Sequence, residues 1–225
     1  MQSMTERGIT LDWAGWQAAG CPLPGVAAHE AVMPFGRTSA AEARNQGQPG
    51  HDFREAAVLI GLESDGRFAM IQRTLGGGVH GGQMALPGGR REAGESMESC
   101  ALREWREELG LASDVEPLAS PQAMTEVHVV PSRFVVRPFL VPVNLPETLR
   151  PDPVEVAEVH RVELGQLMNP ASRRTQKVRA GSDANWKLEA PGFALPGVPF
   201  IWGATAMMLA ELAALGERWT RPSAG

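Results

Sequence analysis

The strongest constraint on this chain is a run of glutamates crowded into the last half of one short helix. Residues 89–111 read GRREAGESMESCALREWREELGL. The stretch Met97–Leu109 has helical periodicity. Ser96 is an N-cap residue type and Gly110 stands where a C-terminal glycine ends a helix. With about 100° between successive residues, Glu104, Glu107 and Glu108 share an arc of roughly 100°. Ala101, Leu102, Trp105 and Leu109 lie to one side as an apolar stripe that needs a core to cover it. The helix must therefore lie against a sheet or another helix, with its carboxylates at the edge of that contact.

This placement is unfavourable on local grounds. Glu104 and Glu108 are like charges four residues apart. All three acids occupy the end of the helix where the macrodipole disfavours negative charge. A local rule broken three times in one place points to function. A hard divalent cation relieves the repulsion, and Mg2+ takes oxygen ligands together with water and phosphate. Taken alone, the hexapeptide Arg103–Glu108 would read as a solvated face of alternating charge.

The spacing is Gly89-x5-Glu95-x7-Arg103-Glu104-Trp105-x-Glu107-Glu108-x-Gly110-Leu111. It resembles the Nudix box, whose family cleaves diphosphates attached to another moiety. The resemblance implies an α/β/α sandwich around a mixed sheet. It also implies Mg2+ or Mn2+ as cofactor, held by Glu104, Glu107, Glu108 and the carbonyl of Gly88. Arg103 would orient a catalytic glutamate. Gly89, Glu95 and Gly110 would be structural in the motif, with Glu95 a partner of Arg103. Trp105 replaces the usual aliphatic residue and keeps the apolar knob.

Stretches outside the box narrow the resemblance. Arg73-Thr74, His80, and Gly82-Gln83 through Gly88-Gly89 are similar to the signature upstream of the box in coenzyme A pyrophosphatases. Ile201-Trp202-Gly203-Ala204-Thr205-Ala206 and Pro153–Val159 are similar to further segments of that subfamily. The resemblance implies cleavage of coenzyme A, or its acyl thioesters, to 3′,5′-ADP and 4′-phosphopantetheine. Arg73, His80 and Gln83 would be substrate-binding. Two positions depart from the pattern: Gly78 stands where a second arginine is usual, and Leu86 where phenylalanine is usual. Hydrolysis of ADP-ribose, dinucleotides or nucleoside triphosphates is the enzymatic alternative. A catalytically silent ligand sensor is the non-enzymatic one.

Composition excludes other classes. The chain has 225 residues, 43% of them hydrophobic, enough for one domain with a sizeable core. A net charge of −5 argues against nucleic-acid binding driven by a broad positive field. A local basic set, Arg173, Arg174, Lys177, Arg179 and Lys187, reads as a solvated hairpin face, with a phosphate contact as the alternative. Two cysteines, Cys21 and Cys100, make no disulfide framework, which fits a reducing cytoplasm. Neither a signal peptide nor a membrane span is expected. The expected partner is a small diphosphate, and a homodimer is compatible with the sequence.

The remaining chain divides into an N-terminal extension, 1–54, with a short helix near Leu11–Ala19 and a polar loop over 36–51. The main domain covers 55–217 and a tail covers 218–225. Strands are expected at Ala56–Leu62 and Arg67–Arg73 around a turn at Ser64-Asp65-Gly66. Others are expected at Val115–Ala119, Arg133–Val143, Val156–Val162, and in a hairpin over 173–188. Pro138 predicts a bulge or an edge position. A final helix runs from Phe200–Trp202 to Gly216, with a Met and Leu stripe that reads as core. Glu158 is an acid in a position after the box, read as a surface strand residue.

Overall fold

A computed structural model of the chain describes residues 12–33, 53–76, 80–179 and 187–219. The polar loop over 36–51, the position Gly78 and the turn of the basic hairpin lie outside these residues. Five helices and eleven strands are described. The helices are α1 (Trp13–Ala18), α2 (Val26–Glu30), α3 (Met97–Leu109), α4 (Leu164–Met168) and α5 (Gly203–Trp219). In chain order the strands are β1 (Arg54–Leu62), β2 (Arg67–Arg73), β3 (Met84–Ala85), β4 (Gly88–Arg90), β5 (Gln122–Ala123) and β6 (Val127–Val129). They continue as β7 (Phe134–Pro142), β8 (Val156–Glu163), β9 (Arg173–Arg179), β10 (Lys187–Phe193) and β11 (Ile201–Trp202).

The main sheet is mixed. Its path is β3-β2-β1-β7-β5, with β4 on β1, β6 on β7 and β8 on β2. β1 and β7 run parallel, in register from Arg54↔Phe134 to Leu62↔Pro142. Alternation along β1 divides the core. Ala57 and Leu59 face the side covered by α3, packing with Cys100, Ala101, Trp105 and Leu109. Val58, Ile60 and Leu62 face the opposite side, with Leu209, Leu212 and Leu215 of α5. Period two on the strand and period 3.6 on the helices meet here, giving the expected α/β/α sandwich. The second sheet, β11-β10-β9, adjoins α5.

Helix α3 ends as its sequence requires. The Ser96 hydroxyl accepts from the Ser99 N–H at 3.0 Å. Gly110 adopts φ 61°, and a Cβ there would meet the Arg150 carbonyl oxygen at 1.6 Å. Cys100 rather than Leu102 completes the buried stripe.

One expectation fails for a local reason. Residues 115–119 form no strand; Pro117 and Pro121 interrupt the segment, and pairing resumes at Gln122 and Val127. Pro138 lies beside the expected bulge rather than at an edge: β7 runs between β1 and the β5–β6 segment, and the register against it shifts by one residue between Ala123↔Phe139 and Val127↔Val136. Its carbonyl accepts from Met124 N–H at 2.8 Å. The missing N–H faces the same side, where the ladder is interrupted between β5 and β6, so no strand bond is lost.

The described N-terminal residues belong to the core. Trp16 and Val32 are buried on the α5 side, and Trp16 meets Trp219 edge to face at 5.7 Å. Helix α2, absent from the sequence reading, delivers His29 to Glu211 of α5. Glu211 is fully buried and accepts from Gly25 N–H (3.0 Å), Thr125 N–H (3.1 Å) and Thr125 Oγ1–H (2.6 Å), with His29 Nε2 at 3.5 Å. One carboxylate thus ties α5 to the N-terminal segment and to the β5–β6 loop. Among the described residues no helix is long and apolar enough to cross a membrane.

Candidate active site

Strand β4 places Gly88, Gly89 and Arg90 along the flank of α3. Glycine is required at Gly88 and leaves room for a carboxylate at Gly89. At Gly88, φ is 158° and a Cβ would stand 2.3 Å from the Ala57 carbonyl oxygen. At Gly89 a Cβ would stand 2.3 Å from the Glu104 carboxylate. The strand therefore comes close enough for the helix carboxylates to lie against its backbone.

The three glutamates differ in environment. Glu108 is 2% exposed and accepts from the Gly88 N–H at 2.8 Å, with Arg73 Nη1 at 3.3 Å. Burial pushes its carboxyl up to about 7, although Gly88 and Arg73 pull the other way. Glu104 is half-buried, and burial raises it against the pull of Arg103. Glu107 is exposed at 60%.

Arg103 organises this edge. Its guanidinium donates to Glu95 (2.9 Å), Glu104 (2.9 Å) and Glu107 (3.1 Å), and to the Arg90 carbonyl oxygen at 3.4 Å. The hydrogen bond from Arg103 holds Glu95 below the ordinary carboxylate range. Cys100 is pushed up to about 11, first by burial and then by Glu95, so it is an inert thiol beside the site.

The upstream loop meets the box through Arg73. Arg73 N–H donates to the Gln83 carbonyl, and Gly82 N–H donates to the Arg73 carbonyl, both at 3.0 Å. His80 Nδ1 lies 3.2 Å from Gln83 Oε1 on the exposed side of this loop. Leu86 is buried in the core on the α5 side, so this departure from the pattern faces packing rather than solvent. Strand β11, with Ile201 and Trp202, packs beside β3.

An acid passed over in the sequence belongs to this neighbourhood. Glu155 acts electrostatically on both Glu104 and Glu108, and its carbonyl accepts from Thr74 N–H at 3.0 Å. Glu158 instead is exposed at 64%, paired across the sheet with Gln72 and 3.6 Å from His160. The available signal was position: Glu155 ends the Pro-rich connection and immediately precedes β8. The basic set lies on β9 and β10, and its β9 members are exposed.

The donor set is all oxygen and half of it is desolvated, which suits a hard divalent cation. As the side chains stand, no group of three or more acids converges on one point among the described residues. Arg103 lies between Glu104 and Glu107 while Arg73 holds Glu108. These carboxylates are the oxygens that could hold a cation, and in this structure two guanidiniums offset their charge. A Gly89→Ala substitution should displace Glu104 and weaken Mg2+ binding at least tenfold by calorimetry, as loss of a ligand-positioning contact does. Unchanged Mg2+ affinity would show that the close approach at Gly89 is unrelated to the cation.

Residues 52–180 match the family model described as the NUDIX domain. None of the curated proteins matches the chain. Among solved structures, a MutT protein from Methanosarcina mazei Go1 superposes with a TM-score of 0.50 at 14% identity, covering 78% of this chain and 100% of that one. The Nudix hydrolase RenU from M. smegmatis gives 0.44 at 17% identity, covering 83% and 93%. A C. elegans Ap4A hydrolase gives 0.40 at 18%, covering 49% and 80%. With the family model spanning more than half of the sequence and a box helix built on this sheet, the chain belongs to the NUDIX domain family and is a hydrolase of its diphosphatase type.

Proposed function

We propose that this enzyme hydrolyses the diphosphate of coenzyme A or acyl-coenzyme A, giving 3′,5′-ADP and 4′-phosphopantetheine or its acyl form. The observation that carries the reading is the Arg73–Glu108 ion pair, where the segment resembling coenzyme A pyrophosphatases meets the box. The Ile201-Trp202 segment, which resembles the same subfamily, packs beside β3 and adds to it.

In this reading Glu104, Glu107, Glu108 and the Gly88 carbonyl hold Mg2+ or Mn2+. The bound cation supplies neutralisation of phosphate charge and a lowered pKa for attacking water. The chain's own residues do the rest. Arg103 keeps the Glu104 and Glu107 carboxylates in place through its fork of hydrogen bonds. Arg73, 31% exposed beside Glu108, is the guanidinium that would meet a phosphate oxygen of the substrate once a cation offset the Glu108 charge. Gly88 and Gly89 leave the backbone open to the diphosphate. Glu155 accepts the proton of the attacking water at its carboxylate. His80 and Gln83 form the rim of the substrate loop.

Glu155→Gln should lower kcat about a hundredfold, the low end for loss of a general base, while Glu158→Gln changes it little. The reverse order would place the additional acid on β8 instead. Comparison of kcat/KM for coenzyme A, ADP-ribose, a dinucleotide and a nucleoside triphosphate tests the substrate. Coenzyme A should lead the series, and a clear lead by any other compound would overturn the assignment.

A further inference from the structure

Glu155 is exposed and lies in a turn just before β8, so neither packing nor a strand ladder fixes its carboxylate. It nevertheless acts electrostatically on both Glu104 and Glu108, which sets it beside the box carboxylates. The backbone that carries it is fastened in three places. At its start, Arg150 N–H donates to the Leu109 carbonyl at the end of α3 (3.2 Å). In the middle, the Asp152 carboxylate accepts from Val154 N–H at 2.8 Å, the pattern of an Asx-turn. The Asp152 carbonyl accepts from Glu155 N–H (3.1 Å) and Val156 N–H (2.9 Å), which closes the turn on itself.

The third fastening comes from the end of β2. Thr74 donates twice: its N–H to the Glu155 carbonyl at 3.0 Å and its hydroxyl to the Val154 carbonyl at 2.9 Å. The strand register explains how Thr74 reaches this turn. Gln72 pairs with Glu158 but Arg73 with Val156, so β8 takes up one extra residue, Ala157, in a bulge. Bulges re-aim the residues that follow them. Here the bulge sends Val156 into the core on the α3 side and brings Glu155 level with Thr74. Arg73, which holds Glu108, immediately precedes Thr74, so one short stretch of β2 ties Glu155 and Glu108 to a common frame.

Resting on the catalytic reading of Glu155 above, we propose that Thr74 is a positioning residue: it clips the 152–156 turn to β2 and so holds the Glu155 carboxylate where it takes the proton of the attacking water. Asp152 orders the turn within its own segment, and Thr74 sets the turn against the box. The N–H bond belongs to the backbone, so the hydroxyl bond is the part that the choice of side chain controls. One neutral hydrogen bond changes an equilibrium by up to about tenfold. A turn released by that factor spends correspondingly less time in the productive geometry.

The test is steady-state kinetics of the full-length chain with Mg2+ and the best substrate of the series named above. It compares wild type, Thr74→Val, Thr74→Ser, Glu155→Gln and the Thr74→Val/Glu155→Gln double variant, with thermal unfolding of each. Thr74→Val keeps the side-chain shape and removes the hydroxyl. It should lower kcat by about tenfold with KM within about twofold of wild type, and Thr74→Ser should restore most of the rate. In the Glu155→Gln background the same change should cost almost nothing, because the residue it positions no longer takes the proton. Asp152→Ala loosens the turn from its other side, should repeat both results, and replaces Thr74→Val in the comparison if that variant does not fold. A loss that persists undiminished in the Glu155→Gln background, a rise in KM in place of the fall in kcat, or an unchanged kcat in Thr74→Val overturns the inference while leaving Glu155 as the base. An unchanged kcat in Glu155→Gln overturns the reading of Glu155 itself, and the inference with it.

Discussion

Replacing Glu108 with glutamine should cut metal-dependent turnover about a thousandfold while leaving the metal-free chain as stable as before, or more so. The first effect follows from the ligand role proposed for this buried carboxylate, where lost electrostatic stabilisation is worth orders of magnitude. The second follows from desolvation. Glu108 is 2% exposed, and burial carries its carboxyl from 4.5 up to about 7. Between those values the folded chain holds a proton that the unfolded chain has released. Stability of the metal-free protein therefore falls as pH rises through that window, by about 3 kcal/mol in all, and is fully present below it. Glutamine removes that slope and still accepts from the Gly88 N–H. Thermal unfolding at pH 5 and pH 8, with and without Mg2+, reads both effects. Turnover within a few-fold of wild type would remove Glu108 from the site. A variant much less stable than wild type at pH 8 would mean that the ion pair with Arg73 is mainly structural.

Glu211→Ala should have the largest effect on stability, a loss of about 3–5 kcal/mol. Its carboxylate is fully buried, and truncation leaves Gly25 N–H, Thr125 N–H and the Thr125 hydroxyl without their acceptor. His29 would lose the charge it faces at 3.5 Å. Burial alone would raise the Glu211 carboxyl, but the hydrogen bonds of His29 and Thr125 outweigh burial and lower it. A carboxyl lowered on folding contributes stability that is present above the ordinary carboxylate value and lost as pH falls through the depressed one. Acid should therefore loosen the N-terminal segment. Urea unfolding at pH 7 compares wild type, Glu211→Ala and Glu211→Gln, and glutamine should recover part of the loss. A change below 1 kcal/mol in the alanine variant would show that the N-terminal segment contributes little to the core.

The box helix was legible in the sequence because its information is local. Ser96, the 3.6-residue stripe and Gly110 fix both ends and the buried face without reference to the rest of the chain. The Arg103–Glu95 contact, implied by resemblance, sits where the motif spacing put it. What escaped the reading depends on elements distant in sequence. Glu155 reaches the carboxylates only because β8 pairs with β2 and brings residues 155 and 74 together. Glu211 stands in an otherwise apolar helix, and nothing in its sequence neighbours announces Gly25, His29 and Thr125. Pro138 announced the irregularity where β5 gives way to β6, the place where its missing N–H is harmless. Residues 115–119 looked like a strand from their apolar members, but Pro117 outweighs them.

Coenzyme A hydrolysis is tested by identifying the products formed from it with Mg2+, using chromatography and mass spectrometry. Two products are expected in equal amounts, 3′,5′-ADP and 4′-phosphopantetheine, formed only with the divalent cation present. Intact coenzyme A under conditions where ADP-ribose or a dinucleotide is split would contradict it, as would release of the 3′-phosphate with the diphosphate left whole.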